Sequence, residues 1–258
     1  MGLDNAVAVL AGGPYGPGDA PGQYNRTIIM RSCRSDGVLL KADTPITVMG
    51  AAVRASFQGA DLKYLWSTHS DITLEGTNVT YRWSYIVAIE VKQPMTVTVQ
   101  DLLDLPPAAP APARTVFAAY DFFQTADSGG LITNVSIVAA DAPLTVAATP
   151  NRTGVNALGY SYTVVAPLLG GRWIVAEADK WVAFSRRRRA QIVSCSPPML
   201  QFSFVAAKGE AVSWAVSASD DSRQPALVAC PAAACTAGAT ECALTVLCSG
   251  NDACTCSE

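Results

Sequence analysis

Few residues in this chain can do chemistry, and their spacing limits what each could support. The one histidine, His69, follows an apolar strand, with Ser67 and Ser70 as its nearest hydroxyls in sequence. A Ser/His/Asp triad is formally available, but no Gly-x-Ser-x-Gly elbow accompanies it, and a single histidine at a strand end reads as structural. Two carboxylate pairs, Asp101 with Asp104 and Asp220 with Asp221, have the residue types that flank a glycosidic bond. Adjacent strand residues point to opposite faces, however, and Asp101 stands where a loop begins, so both pairs read as solvated turns. Phosphate loops, dinucleotide fingerprints and metal-ligand clusters are absent from the sequence, so neither a cofactor nor a metal is expected. Five tryptophans, Trp66, Trp83, Trp173, Trp181 and Trp214, could stack on a sugar if several shared an exposed face. Their alternating strand positions favour core roles, with Trp173 and Trp181 the least embedded in apolar alternation.

Eight cysteines are present, and six of them, Cys230, Cys235, Cys242, Cys248, Cys254 and Cys256, crowd into the C-terminal tail. Their spacing contains no Cys-x2-Cys pair and no histidine lies among them, which argues against zinc. Such density points to disulfides and an oxidising compartment. Three bridges would allow fifteen connectivities, among which the sequence does not choose. Cys33 and Cys195 are left over and suit buried, unreactive positions. Four Asn-x-Ser/Thr sequons, at Asn25, Asn78, Asn134 and Asn151, add a second secretory sign, since chance would place roughly one. Secretion, or residence in the lumen of the secretory pathway, is therefore expected. The N-terminus carries Asp4 without a basic segment, which is a poor signal peptide. The expectation is that the true N-terminus lies upstream.

The elements that must position these residues are mostly strands. Half of the 258 residues are hydrophobic and 15% are charged, which argues against disorder and suffices for a sizeable core. The net charge of -3 gives no field for nucleic acid, and no apolar run reaches membrane-spanning length. The basic run at residues 186–189 reads as a solvated strand end or loop in preference to a partner-binding or processing site. Between residues 44 and 229 apolar positions recur with period two. Trp83, Tyr85, Val87, Ile89 and Val91 alternate with Ser84, Ala88 and Glu90, Ile86 being the exception. Met95, Val97 and Val99, then Tyr160, Tyr162 and Val164, then Leu200, Phe202 and Phe204, then Val212, Trp214 and Val216, repeat the pattern. Strands of this kind separated by Gly, Pro, Asn and Asp clusters predict an antiparallel β-sandwich. The Pro-Ala run at 105–113 suits a stiff connection between its sheets.

The first 43 residues read differently. Residues 6–10, Ala-Val-Ala-Val-Leu, form a short apolar run of the kind a buried parallel strand shows, stopped by Gly12, Gly13 and Pro14. A loop rich in Gly and Pro follows. Asn25 then sits where an N-cap belongs, and Ile28, Ile29 and Met30 predict a helix that ends before the Ser35, Asp36, Gly37 turn. The expectation is one strand-loop-helix unit of a parallel architecture.

These residues, Gly12-Gly13-Pro14, Gly18-Asp19, Gly22, Asn25, an apolar helix and then Asp36-Gly37-Val38-Leu39-Leu40-Lys41, resemble the last βα unit of the α-galactosidase and raffinose-synthase-like glycoside hydrolases. A second, weaker patch of resemblance runs from Gly170 through Trp173 and Glu177 to Lys180. The resemblance implies the end of a (β/α)8 barrel at 1–43, a C-terminal β-sandwich at 44–229 and a Cys-rich tail at 230–258. It places Gly12, Gly13 and Asp19 on the substrate rim at the C-terminal face of the barrel. The two catalytic aspartates of that family lie on earlier barrel strands and match no position here, so no catalytic residue is carried over. The expected function is then that of a non-catalytic portion of a secreted glycoside hydrolase or glycosyl transferase acting on α-galactosides, bracing a missing barrel that is its partner in the same parent protein. The second reading is an independent secreted β-sandwich that binds carbohydrate, and the third is a self-contained hydrolase using His69.

Overall fold

The computed structural model describes residues 2–14, 16, 20, 22–58, 64–91, 94–102, 116–127, 132, 135–139, 142–146, 159–177, 179–186, 188–196, 199–218, 226–231, 241–249 and 254–257. Two helices open it, α1 (Gly2–Leu10) and α2 (Arg26–Met30), followed by β1 (Thr47–Val48), α3 (Gly50–Phe57), β2 (Leu65–Thr73), β3 (Thr80–Ile89), β4 (Met95–Thr98) and α4 (Val99–Leu102). Next come β5 (Val116–Asp121), α5 (Phe122–Asp127), β6 (Ser136–Ala139), β7 (Pro143–Val146), β8 (Tyr160–Pro167) and β9 (Trp173–Ala176). The remainder is strand: β10 (Ala190–Ser194), β11 (Leu200–Ala207), β12 (Ala211–Ala218), β13 (Ala226–Pro231), β14 (Glu241–Cys248) and β15 (Cys254–Ser257).

Every strand pairing among the described residues is antiparallel. The largest sheet runs β1-β2-β3-β8-β5-β6, and across from it lie the sheets β10-β11-β14-β15 and β13-β12-β9, with β4 and β7 paired separately. The predicted sandwich is therefore the architecture observed. Its main core joins one face of the large sheet, through Trp83, Tyr85, Val87, Tyr162 and Val164, to Phe202, Phe204, Trp214 and Val246 of the facing sheets. A second core covers the other face, where Ile86, Ala88 and Val165 meet Met49 and Ala52 near α3 and Val97 and Val146 of the β4–β7 pair. This explains why Ile86 breaks the alternation: β3 lies inside a sheet covered on both faces, and such strands lose their polar side.

Two predicted elements are corrected. Residues 6–10 belong to α1, a helix, and not to a buried parallel strand. Asn5, Ala6, Val9 and Leu10 are its buried stripe, at the spacing of one helical face. Gly12, at φ +73°, provides the left-handed position that ends it. The apolar strand expected to end before His69 continues to Thr73 as β2, which puts His69 in the middle of the strand and not at its end. The helix predicted after Asn25 is present as α2: Asn25 is extended, and its side chain accepts a hydrogen bond from the Ile28 N–H at 3.3 Å. The Pro-Ala run at 105–113 lies outside the described residues.

Between β9 and β10, residues 180–185 pass through the core without regular structure. Trp181, Val182, Ala183 and Phe184 are all buried. Buried backbone needs partners, and tyrosines supply some of them: the Tyr162 hydroxyl donates to the Trp181 carbonyl, and the Phe184 N–H donates to the Tyr85 hydroxyl at 3.3 Å. Glu177 N–H closes the loop onto the Ala183 carbonyl at 2.7 Å.

Candidate functional site

The segment after α2 and the irregular stretch around residue 180 meet. Lys180 Nζ donates to the Met30 carbonyl at 2.8 Å, and the Trp181 N–H donates to the Arg31 carbonyl at 3.0 Å. Trp181 Nε1 donates to Asn5 Oδ1, whose amide Nδ2 donates to Ser32 Oγ at 3.0 Å. The Arg31 guanidinium lies 5.5 Å from the Trp181 ring centroid and 5.4 Å from that of Phe122, close enough for cation–π attraction. Asn5 and Ser32 are fully buried. The joint is closed and satisfied, which suits a rigid connection between the first 43 residues and the sandwich.

A buried ion cluster continues this joint. Arg189 Nε and Nη2 fork onto the two Glu177 oxygens, and Nη1 and Nη2 fork onto Glu210 at 2.9 and 2.8 Å. A further bond from Nη1 reaches the Val205 carbonyl at 3.0 Å. Glu210 also accepts from the N–H groups of Ala207 at 2.9 Å and Ser35 at 3.1 Å, tying the turn after α2 to the sandwich. Burial opposes ionisation of Glu210, but its hydrogen bonds with Arg189 outweigh this and hold the carboxyl below its ordinary range. Burial also works against Arg189, yet the two carboxylates keep it more basic than usual. Arg34, 3% exposed, pairs in turn with Asp36 and Glu241.

Among the described residues, the catalytic candidates do not assemble. His69 Nδ1 lies 3.4 Å from Thr44 Oγ1 and Nε2 lies 3.7 Å from Asp71 Oδ2, the second too long for a hydrogen bond. Asp71 is instead held by Arg82 Nε and Nη2, each at 2.7 Å. Ser70 is buried and accepts from the Tyr85 hydroxyl at 3.3 Å. Asp101 is the third residue of α4, capped by Thr98: its N–H donates to Thr98 Oγ1 at 3.2 Å while its carboxylate accepts from the Thr98 N–H at 3.0 Å, a reciprocal capping box. Asp104, Asp220 and Asp221 lie outside the described residues. Trp173 and Trp181, the least embedded in apolar alternation, are buried along with Trp83 and Trp214, in line with the core roles favoured by the sequence.

On the proposed rim, Gly12 presents its carbonyl to Lys41 Nζ at 2.6 Å, Gly13 is partly buried, and Asp19 lies outside the described residues. Asn25 and Asn78 are both exposed, the second in the turn joining β2 to β3. Asn134 and Asn151 lie outside the described residues. In the tail, Cys248 and Cys254 form a disulfide, and Cys242 and Cys256 are also disulfide-bonded. Cys230 falls in β13, and Cys235 lies outside the described residues. Cys33 and Cys195 are free and buried, as expected. Among the described residues no group of three His, Cys, Asp or Glu side chains could hold a metal, and no helix is long and apolar enough to cross a membrane.

Sequence reasoning missed the buried arginines. Arg34 sits in an ordinary polar turn, and Arg189 ends a basic run that looks solvated, so neither announces burial. No protein-family model matches the chain, and no curated protein matches it.

Proposed function

We propose that this chain is the non-catalytic β-sandwich portion of a secreted glycoside hydrolase resembling the α-galactosidases and raffinose synthases, and that it braces a catalytic barrel. The observation that carries this reading is the joint around Trp181. The two patches that resemble the family, residues 11–43 and 170–180, are far apart in sequence, yet Met30 and Arg31 receive hydrogen bonds from Lys180 and Trp181. The contact fixes the first 43 residues, which open on a helix and not on a barrel strand, to the sandwich, and Ser35 bonded to Glu210 extends it. Disulfide bonding of the tail supports a secretory setting. The alternative, an independent glycan-binding module, needs an exposed stacking platform, and four of the five tryptophans are buried.

The test is to sequence the transcript upstream of the Met1 codon and to assay the longer product and this chain alone on α-galactosides. The expected result is an in-frame barrel, activity in the longer product and none in the chain alone. Turnover by the chain alone that is abolished by replacing one of its own carboxylates would overturn the reading.

A further inference from the structure

Beside the ion cluster lies a groove of about 320 Å³, lined by Arg34, Arg186, Arg188, Arg189 and Glu241 with apolar floor atoms from Phe204 and Val205. Its size is at the lower end of small-molecule sites. Four guanidinium groups crowd one wall of a chain whose net charge is -3. Their counter-charges are placed unevenly. Glu177 and Glu210 are buried behind Arg189, whose donors they occupy and whose charge they offset, so Arg189 gives the groove neither a free N–H nor net positive charge. Arg186 and Arg188 are exposed at the mouth.

Ser185 and residues 188–190 beside them are tied down. Arg189 and Ala190 N–H groups both bond the Ser185 carbonyl at 3.0 Å, Ser185 Oγ donates to the Lys41 carbonyl at 3.1 Å, and Arg188 Nη1 donates to the Leu39 carbonyl at 3.2 Å. Opposite, Gln191 and Ser203 are cross-strand partners of β10 and β11, and both line the groove, adding polar groups beside the arginines. One oxyanion already sits here: the carboxylate of Glu241, 53% exposed, rests on Arg34 Nη2.

We propose that this groove binds an oxyanion, a phosphate or sulfate group, held by Arg186 and Arg188, with Glu241 as the internal occupant it displaces from Arg34. Planar guanidinium forks match such oxygens and make charge-assisted bonds. The inference is independent of the glycoside-hydrolase reading and needs no barrel.

The experiment titrates the intact chain at low ionic strength with sodium phosphate, sodium sulfate and a hexose 6-phosphate, with sodium chloride at matched ionic strength as the control, following binding by calorimetry. Saturable binding of at least one oxyanion and none of chloride is expected. The double variant Arg186→Ala/Arg188→Ala should bind about tenfold or more weakly. Glu241→Gln should bind several-fold more tightly, because it removes the competing carboxylate. Tighter binding of the hexose phosphate than of the free ions would identify the source as an ester, and equal binding would identify the free ion. Oxyanion binding no better than chloride, or undiminished binding by a double variant with unchanged circular dichroism, would overturn the proposal.

Discussion

At the scale of single residues the most consequential group is Arg189. Its side chain is 1% exposed and its two carboxylate partners 2% and 6%. Removing one member of such a cluster leaves buried charge without compensation, which typically costs about 3–5 kcal/mol. Arg189→Ala should therefore lower stability by that order in urea unfolding, whereas replacing Arg189, Glu177 and Glu210 together by apolar residues of similar volume should restore most of the loss. The same cluster shapes the acid limb. Glu210, Asp36 and Asp101 all have carboxyls held below their ordinary values. Burial raises Asp101 and is outweighed by its Thr98 hydrogen bonds, while the Arg34 hydrogen bond leads the lowering at Asp36. A depressed folded pKa contributes stability that is complete above the unfolded value and is lost as pH falls through the folded one. The loss should thus begin below about 4.5, the ordinary value for Glu210. Glu177 acts with the opposite sign, since burial leads its causes and raises its carboxyl, so acidification relieves part of its cost. Glu210→Gln should flatten the acid limb measured by denaturant unfolding between pH 5 and 2.5, and an unchanged slope would remove Glu210 from the account. None of this was legible in sequence: Glu177 follows the apolar run Trp173-Ile174-Val175-Ala176, and nothing local marks it as the partner of an arginine in a basic run.

At the scale of elements, the strands were legible because the antiparallel pattern writes itself at period two. Leu200, Phe202 and Phe204 alternate with Gln201 and Ser203, and β11 shows that alternation in its burial. Residues 6–10 misled because Ala, Val and Leu in an unbroken run carry no period, and helix and strand then differ only in length and flanks. The deciding signals lay outside the run. Leu3 extends the apolar stripe upstream, and Asn5, which no buried strand would tolerate alone, is satisfied by Ser32 and Trp181. The polar group thus fixes how α1 docks. Asn5→Leu keeps the branched shape but strands the Trp181 indole N–H in the core, while Ser32 keeps the Ile29 carbonyl, and an unmet buried donor costs about 1–3 kcal/mol. A fall in stability within or above that range by chemical denaturation is expected. A neutral result would mean that the docking of α1 is apolar alone.

At the scale of the whole molecule, the closing unit of a missing barrel would leave its apolar side chains without a wall to pack on. The packing reverses this. Ala6, Val9, Leu10 and Leu40 are buried in the main core, and Ile28 packs against it. The Ile46 N–H also bonds the Leu10 carbonyl at 2.9 Å, and the Asp43 N–H bonds the His69 carbonyl at 2.9 Å, which ties the segment to β2. Exposing Val9, Leu10 and Leu40 would together forfeit on the order of 5–9 kcal/mol of burial, comparable with the whole stability of a typical domain. Trp181, Lys180 and Glu210 would lose partners as well. A chain beginning at Thr44 should therefore be largely unfolded or aggregated at 25 °C, while the full chain unfolds cooperatively. Amide exchange along the full chain should find residues 5–10 and 31–34 protected to about the same degree as β3 and β11. The thiols give an independent reading: Cys33 and Cys195 should resist alkylation in the full chain, and Cys195, which the truncated chain keeps, should react at once there, because burial shields both and raises the Cys33 thiol above its ordinary value. If the truncated chain instead unfolds cooperatively at the temperature of the full one with Cys195 still shielded, the sandwich closes without α1, and the bracing joint at Trp181 is not needed for its stability.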